Sequence, residues 1–171
     1  MLAAVIAVLA IIADQITKYI VVENIDFKGT VPFIPGFMSF YHTRNTGAAF
    51  SMFSDQRWVF MVFSFISMGL IIFILIKEYK RHKLLNIALS MVLGGGIGNM
   101  IDRTFYGETL FNGAVIDFFD FRLFSFWKWI FNVADIAVCV GVGLYALYVI
   151  LTEIRDYKNR KAQKAIEENN D

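Results

Sequence analysis

Two aspartates in apolar surroundings are the groups of this chain best suited to chemistry. Asp117 lies in Ala114-Val-Ile-Asp-Phe-Phe-Asp-Phe121, and Asp135 ends Phe131-Asn-Val-Ala-Asp135. A carboxyl buried among Val115, Ile116, Phe118 and Phe119 has its pKa raised by desolvation, and a second carboxylate nearby raises it further. Two such acids can share one proton, giving a general base and a general acid near neutral pH that titrate as a unit. No cation lies within one turn of Asp135 on its own segment, so its partner must come from elsewhere. Asp117 is the candidate and Asp120 the competitor; in an extended segment the two point to opposite faces, so only one can enter a shared pocket. Other polar residues repeat the theme at helical spacing. Asp14 and Lys18 are four apart and can pair; Asn99 precedes Asp102 and Arg103 by three and four; Asn132 precedes Asp135 by three.

Other chemistries are excluded more simply. The single cysteine, Cys139, rules out an intrachain disulfide and a thiolate cluster, and the two histidines, His42 and His82, are too far apart for a paired-His zinc motif. There is no Gly-x-Ser-x-Gly elbow, and a net charge of +1 gives no footprint for nucleic acid. Gly94-Gly-Gly-Ile-Gly98 is not a dinucleotide fingerprint, because Asn99 stands where the third glycine should be. Gly94 and Gly98 do have the small-xxx-small spacing that lets helices approach closely.

The elements that must position these residues follow from hydropathy. Of 171 residues, 57% are hydrophobic, and the mean hydropathy is +0.56. Four apolar runs, Met1–Val22, Trp58–Ile76, Leu84–Ile101 and Trp129–Leu151, each approach the ~20 residues that cross a ~30 Å hydrocarbon layer. A cleavable leader is the competing reading of the first run, but no Lys or Arg precedes it and its apolar character resumes from Tyr19 to Val22. Nine Lys and Arg fall in the Lys77–Lys83 turn and the C-terminal tail, against six spread over the longer loops 23–57 and 102–128. This asymmetry puts both termini in the cytoplasm and those two loops outside. The expectation is an all-α membrane protein of four spans over residues 1–151, with a polar cytoplasmic tail over 152–171. Val31–Gly36 has turn chemistry and Phe37–Thr43 favours strand, so a small sheet on the outer surface is expected. Counted from the ends of the runs, Asp14 lies ~12 Å, Lys18 ~6 Å, Asp135 ~9 Å and Asn99 ~3 Å below the outer boundary. Clustering at one depth points to a single polar pocket opening outward.

Five segments together resemble the lipoprotein signal peptidases (signal peptidase II), bacterial membrane aspartic proteases. They are Asp14-Gln-Ile-Thr-Lys18, Asn45-Thr-Gly-Ala-Ala-Phe50, Gly98-Asn-Met-Ile-Asp-Arg103, Val115-Ile-Asp-Phe118 and Phe131-Asn-Val-Ala-Asp135, in the family's order. The resemblance implies a catalytic dyad of Asp117 and Asp135. Asn45, Gly47, Asn99, Arg103 and Asn132 would hold substrate or order the dyad, with Asp14 and Lys18 in support. It implies a prolipoprotein substrate whose cysteine carries diacylglycerol, cut on the N-terminal side of that cysteine, and inhibition by cyclic peptides of the globomycin type. It also implies an outer β-cradle with a short helix or loop, contact with membrane lipid, no nucleic acid, no cofactor, and a bacterial cytoplasmic-membrane location with the site at the outer face. Four helices can form the pocket as a monomer. A small proton-coupled transporter using Asp14, Lys18 and Asp135 is the competing function; it requires polar groups through the full depth of the membrane.

Overall fold

A computed structural model describes residues 2–46, 57–121 and 129–168. Helix α1 (Leu2–Asn24) is followed by strands β1 (Thr30–Ile34) and β2 (Met38–Asn45), then α2 (Arg57–Lys77) and α3 (Lys83–Phe105). Strands β3 (Val115–Phe121) and β4 (Ile130–Phe131) precede α4 (Val133–Glu168). By length and composition, α1, α3 and α4 can cross a membrane, and α2 is a further apolar helix. Their outward faces carry large apolar side chains, such as Leu9, Ile16, Phe63, Phe73 and Val142, all more than half exposed. Water would not tolerate so continuous an apolar surface, whereas lipid does.

Helix α3 is the hub and packs against α1, α2 and α4. The glycine run makes this possible. A methyl on Gly94 would meet Ala7 O at 2.7 Å on α1, and one on Gly95 would collide with Ala134 O on α4. The small-residue spacing therefore serves close packing, with successive glycines facing different helices.

The segments between the helices form one antiparallel sheet in the order β1-β2-β3-β4. Val31–Gly36 is more strand than turn: β1 takes Thr30–Ile34, and only Pro35–Phe37 form the reversal, with Gly36 at φ +75°. Pro32 is tolerated because β1 is an edge strand and its missing N–H forfeits no ladder bond. The sheet packs on the end of α1 through Val21, Ile116 and Phe118, flanked by Ile25, Phe40 and Phe119. A bulge in β2 between Phe40 and Thr43 shifts the register so that Thr43 opposes Asp117 and Ser39 opposes Asp120.

Two boundaries differ from those expected on hydropathy. The fourth run does not begin as helix at Trp129: Ile130 and Phe131 pair with Asp120 and Phe119, and α4 starts only at Val133. The helix does not stop with the apolar run at Leu151: residues 152–168, expected as a polar tail, continue α4 as an exposed helix end. Residues 47–56 and 122–128, parts of the two loops 23–57 and 102–128 over which a short helix or loop is expected, lie outside the described residues.

Candidate active site

Helix α4 begins with a reciprocal cap. The Asp135 N–H donates to Asn132 Oδ1 at 3.0 Å, and the Asn132 N–H donates to Asp135 Oδ2 at 3.1 Å. This is a capping box built from Asn and Asp, and it fixes the Asp135 carboxyl in the first turn. Counted from the observed helix ends, Asp135 is ~3 Å inside α4 and Asn99 ~9 Å inside α3, whereas the ends of the apolar runs put them ~9 and ~3 Å in. The difference arises because the fourth apolar run begins before its helix does, whereas α3 continues four residues past the end of the third run, to Phe105.

Asn132 joins the two acids. Its Nδ2 donates to Asp117 Oδ1 at 2.7 Å and reaches Asn99 Oδ1 at 3.0 Å, while its backbone and Oδ1 hold Asp135. Asn45, at the end of β2, donates from Nδ2 to the other oxygen of Asp117 at 3.0 Å. Asn99 Nδ2 donates to Asp135 Oδ1 at 2.8 Å. The Arg103 guanidinium bonds Asn99 O at 3.2 Å and lies within electrostatic reach of Asp117 and Asp135. Asp117 is 3% exposed. Burial, with the charge of Asp135 adding to it, pushes its carboxyl from 3.8 up to about 7, against the pull of the Asn45 and Asn132 amides and Lys18. Asp120 points elsewhere and meets Ser39 Oγ at 3.5 Å, as strand alternation requires.

Below this pair lies a buried ionic layer. Lys18 Nζ uses all three of its protons: on Asp14 Oδ2 at 2.8 Å, Asp102 Oδ2 at 2.7 Å and Asn99 Oδ1 at 3.0 Å. Lys18, Asp14 and Asp102 are wholly buried. Each carboxyl also takes a backbone N–H next to one of the paired acids. Asp14 Oδ1 accepts from Ala134 N at 2.9 Å, one residue before Asp135. Asp102 Oδ2 accepts from Ile116 N at 3.1 Å, one residue before Asp117. Gln15 Nε2 bridges Asp14, Asp102 and Gly98 O at 3.0–3.1 Å. The layer thus works as a yoke, with Lys18 at its centre and one arm on each acid-bearing segment.

Asp14, Lys18, Asn45, Asn99, Arg103, Asn132, Asp117 and Asp135 therefore meet in one network; Gly47 lies outside the described residues. Asp102 and Gln15 had no role in the sequence-based expectation. Spacing exposes an i,i+4 pair such as Asp14–Lys18, but not the second partner that Lys18 finds across a helix interface. Asp102 could have been found by asking which buried acid balances the outer end of α3.

Comparison with known proteins places the whole chain among its relatives. The sequence pattern of signal peptidase (SPase) II matches residues 6–151. The lipoprotein signal peptidase of Symbiobacterium thermophilum is 40% identical over 153 residues, covering 90% of this chain and 97% of its own. That of Shouchella clausii is 41% identical over 151 residues, covering 88% and 93%. A bacterial membrane enzyme solved by the in meso method at 2.3 Å superposes with a TM-score of 0.77 at 30% identity, covering 92% of this chain and 90% of the other. A second such structure, at 1.9 Å, gives 0.75 at 31% identity, covering 86% and 91%. From its sequence relatives, its fold and its apolar helices together, the chain belongs to the signal peptidase II family and is a bacterial membrane peptidase.

Proposed function

We propose that this protein is the aspartic endopeptidase that removes signal peptides from diacylglyceryl-modified prolipoproteins, cutting on the N-terminal side of the lipidated cysteine. The observation that carries this reading is one asparagine, Asn132, bonded to both Asp117 and Asp135, with Asp117 held up to about 7 beside the charge of Asp135. Near neutral pH that pair keeps one proton. Asp135, hydrogen-bonded by Asn99 and the Asn132 N–H, is the base that takes a proton from the attacking water. Asp117 gives its proton to the carbonyl oxygen of the scissile bond as the tetrahedral intermediate forms. Collapse returns a proton to the leaving amine. Arg103 supplies positive charge beside the pair, and Asn45, Asn99 and Asn132 orient the carboxyls and accept or donate to substrate backbone; Gly47 adds to this set.

In the same reading all four helices span the membrane, both termini and residues 152–171 are cytoplasmic, and the sheet lies at the outer face. The substrate's acyl chains stay in lipid while its cleavage site enters between the helices. The protein acts as a monomer without a cofactor, and globomycin-type cyclic peptides inhibit it. A transporter reading gains no support, because α1 from Leu2 to Ala13 presents no polar side chain to continue a path from Asp14.

The test is cleavage of a diacylglyceryl-modified prolipoprotein by purified wild type, Asp117→Asn, Asp135→Asn and Asp120→Asn. Each dyad variant should fold and lose roughly 10²–10⁴-fold in rate, while Asp120→Asn cuts normally. Normal cleavage by Asp117→Asn would break the assignment of the pair.

A further inference from the structure

The end of the bundle away from the aspartates carries a second constellation. A cavity of ≈350 Å³ lies between the start of α1, the α2–α3 turn and the first turn of α3, lined by Leu2, Ala3, Tyr79, Lys80, Lys83 and Asn86. It shares Ala3 and Tyr79 with a second cavity of ≈410 Å³, walled by Ala4 and Ala7 on α1 and by Ile72, Leu75 and Ile76 on α2. The groove exists because α2 packs on α3, while α1 turns only alanine methyls toward this side of α2. The two cavities form one site with a cationic mouth and an apolar stem.

The mouth is built in detail. Lys80 adopts a left-handed backbone (φ 70°), which a residue with a Cβ occupies at a cost, and its Nζ lies 5.6 Å from the Tyr79 ring centroid. Lys83 opens α3, whose N-cap residue His82 provides no side-chain cap. The nearby acid, Glu78, is turned toward His82 at 3.9 Å. Asn86 donates from Nδ2 to Glu78 O at 3.1 Å, but its Oδ1 is buried with no partner among the described residues. A buried acceptor without a protein donor takes one from water or from a ligand hydroxyl.

We propose that this site binds one anionic glycerophospholipid with a hydroxylated headgroup. The phosphate sits between Lys80 and Lys83, a headgroup hydroxyl donates to Asn86 Oδ1, and one acyl chain fills the groove between α1 and α2. Zwitterionic lipid lacks the net charge for this mouth, and a free anion leaves the apolar stem unfilled. No residue of the site belongs to the Asp117–Asp135 network, so the inference stands apart from the proposed reaction.

Native mass spectrometry of the full chain in detergent, titrated with dioleoyl lipids, tests it. Wild type should bind one phosphatidylglycerol roughly 30-fold more tightly than phosphatidylcholine, the contribution of two lysines at a membrane surface. Lys80→Gln/Lys83→Gln should cut that preference below about threefold. Ala3→Phe, which plugs the groove and leaves the lysines, should weaken both lipids about tenfold. Phosphatidylethanol has the same singly charged phosphodiester without a headgroup hydroxyl. It should bind wild type several-fold more weakly than phosphatidylglycerol does, whereas Asn86→Leu should bind the two lipids equally. Prolipoprotein cleavage by these variants at the wild-type rate shows that they are folded. Equal binding of phosphatidylglycerol and phosphatidylcholine by wild type, a preference that survives loss of both lysines, or displacement of the lipid by equimolar glycerol 3-phosphate would overturn the proposal.

Discussion

Replacing Asp117 by Asn should stabilise the protein at neutral and alkaline pH, although it removes a proposed catalytic group. Asp117 is 3% exposed, and its carboxyl is shifted from 3.8 to about 7. At ~1.4 kcal/mol per pKa unit, ionising it in the folded chain costs about 4 kcal/mol relative to the unfolded chain. Below about pH 4 both states hold the proton and there is no penalty. Between about pH 4 and pH 7 the folded chain retains a proton that the unfolded chain has lost, so stability falls as pH rises; above about 7 the full penalty applies. Integrated from pH 5 to pH 8, this one group removes about 3 kcal/mol. The carboxamide of Asp117→Asn is neutral throughout, but it presents only one acceptor oxygen to the amides of Asn45 and Asn132, a loss of about 1–2 kcal/mol. The variant should therefore exceed wild type by about 2–3 kcal/mol at pH 8, with that advantage gone at pH 5. Equilibrium unfolding in mixed micelles, followed by tryptophan fluorescence at both pH values, measures it, with Asp120→Asn as the control. If wild type and Asp117→Asn lose stability in parallel between pH 5 and pH 8, Asp117 does not carry the shifted proton and the assignment of roles within the pair fails.

Three further outcomes follow from the same geometry. The cleavage rate should fall as pH rises above about 7, because Asp117 then loses the proton it gives to the carbonyl oxygen; a kcat/KM profile still climbing at pH 9 would contradict this. Lys18→Met strands two buried carboxyls and should cost about 3–5 kcal/mol of stability, with part recovered in Lys18→Met/Asp102→Asn; the same unfolding assay reads both. Gly95→Ala drives a methyl into Ala134 O and must push α3 from α4, costing about 1–3 kcal/mol and the reaction, whereas Gly143→Ala, with nothing within 4 Å, should be silent.

The parts of this protein that were legible in the sequence were those where one residue contradicts its surroundings. Asp117 and Asp135 stand out because carboxyls are rare among Val, Ile and Phe, and Asp14–Lys18 because a charged pair in an apolar helix needs its partner within one turn. The rest is cooperative. Hydropathy cannot separate the short strand Ile130–Phe131 from the helix that follows, since both are apolar. The cue that does so, Asn132 three residues before Asp135, is a capping pattern that apolar periodicity does not register. The tie from Lys18 to Asp102 and the pairing of Val115–Phe121 with Met38–Asn45 depend on which distant segments meet. Within the strand, alternation alone still separated Asp117 from Asp120.

With Asp117 and Asp135 as the proposed dyad, the yoke also sets when, during synthesis, activity can arise. Its centre, Lys18, belongs to the first helix, and one arm, Asp102, to the end of α3. The two backbone groups it holds, Ile116 N and Ala134 N, emerge later, on either side of the 122–128 stretch. Asp135 arrives only with the last helix, and its orientation depends on a cap that forms as that helix starts. No N-terminal fragment that stops short of α4 contains both acids, and a bundle with α4 undocked leaves Asp14 without its backbone donor. Assembly is therefore its own safety catch: a membrane crowded with newly inserted, half-folded helices meets this peptidase only after its own folding has finished.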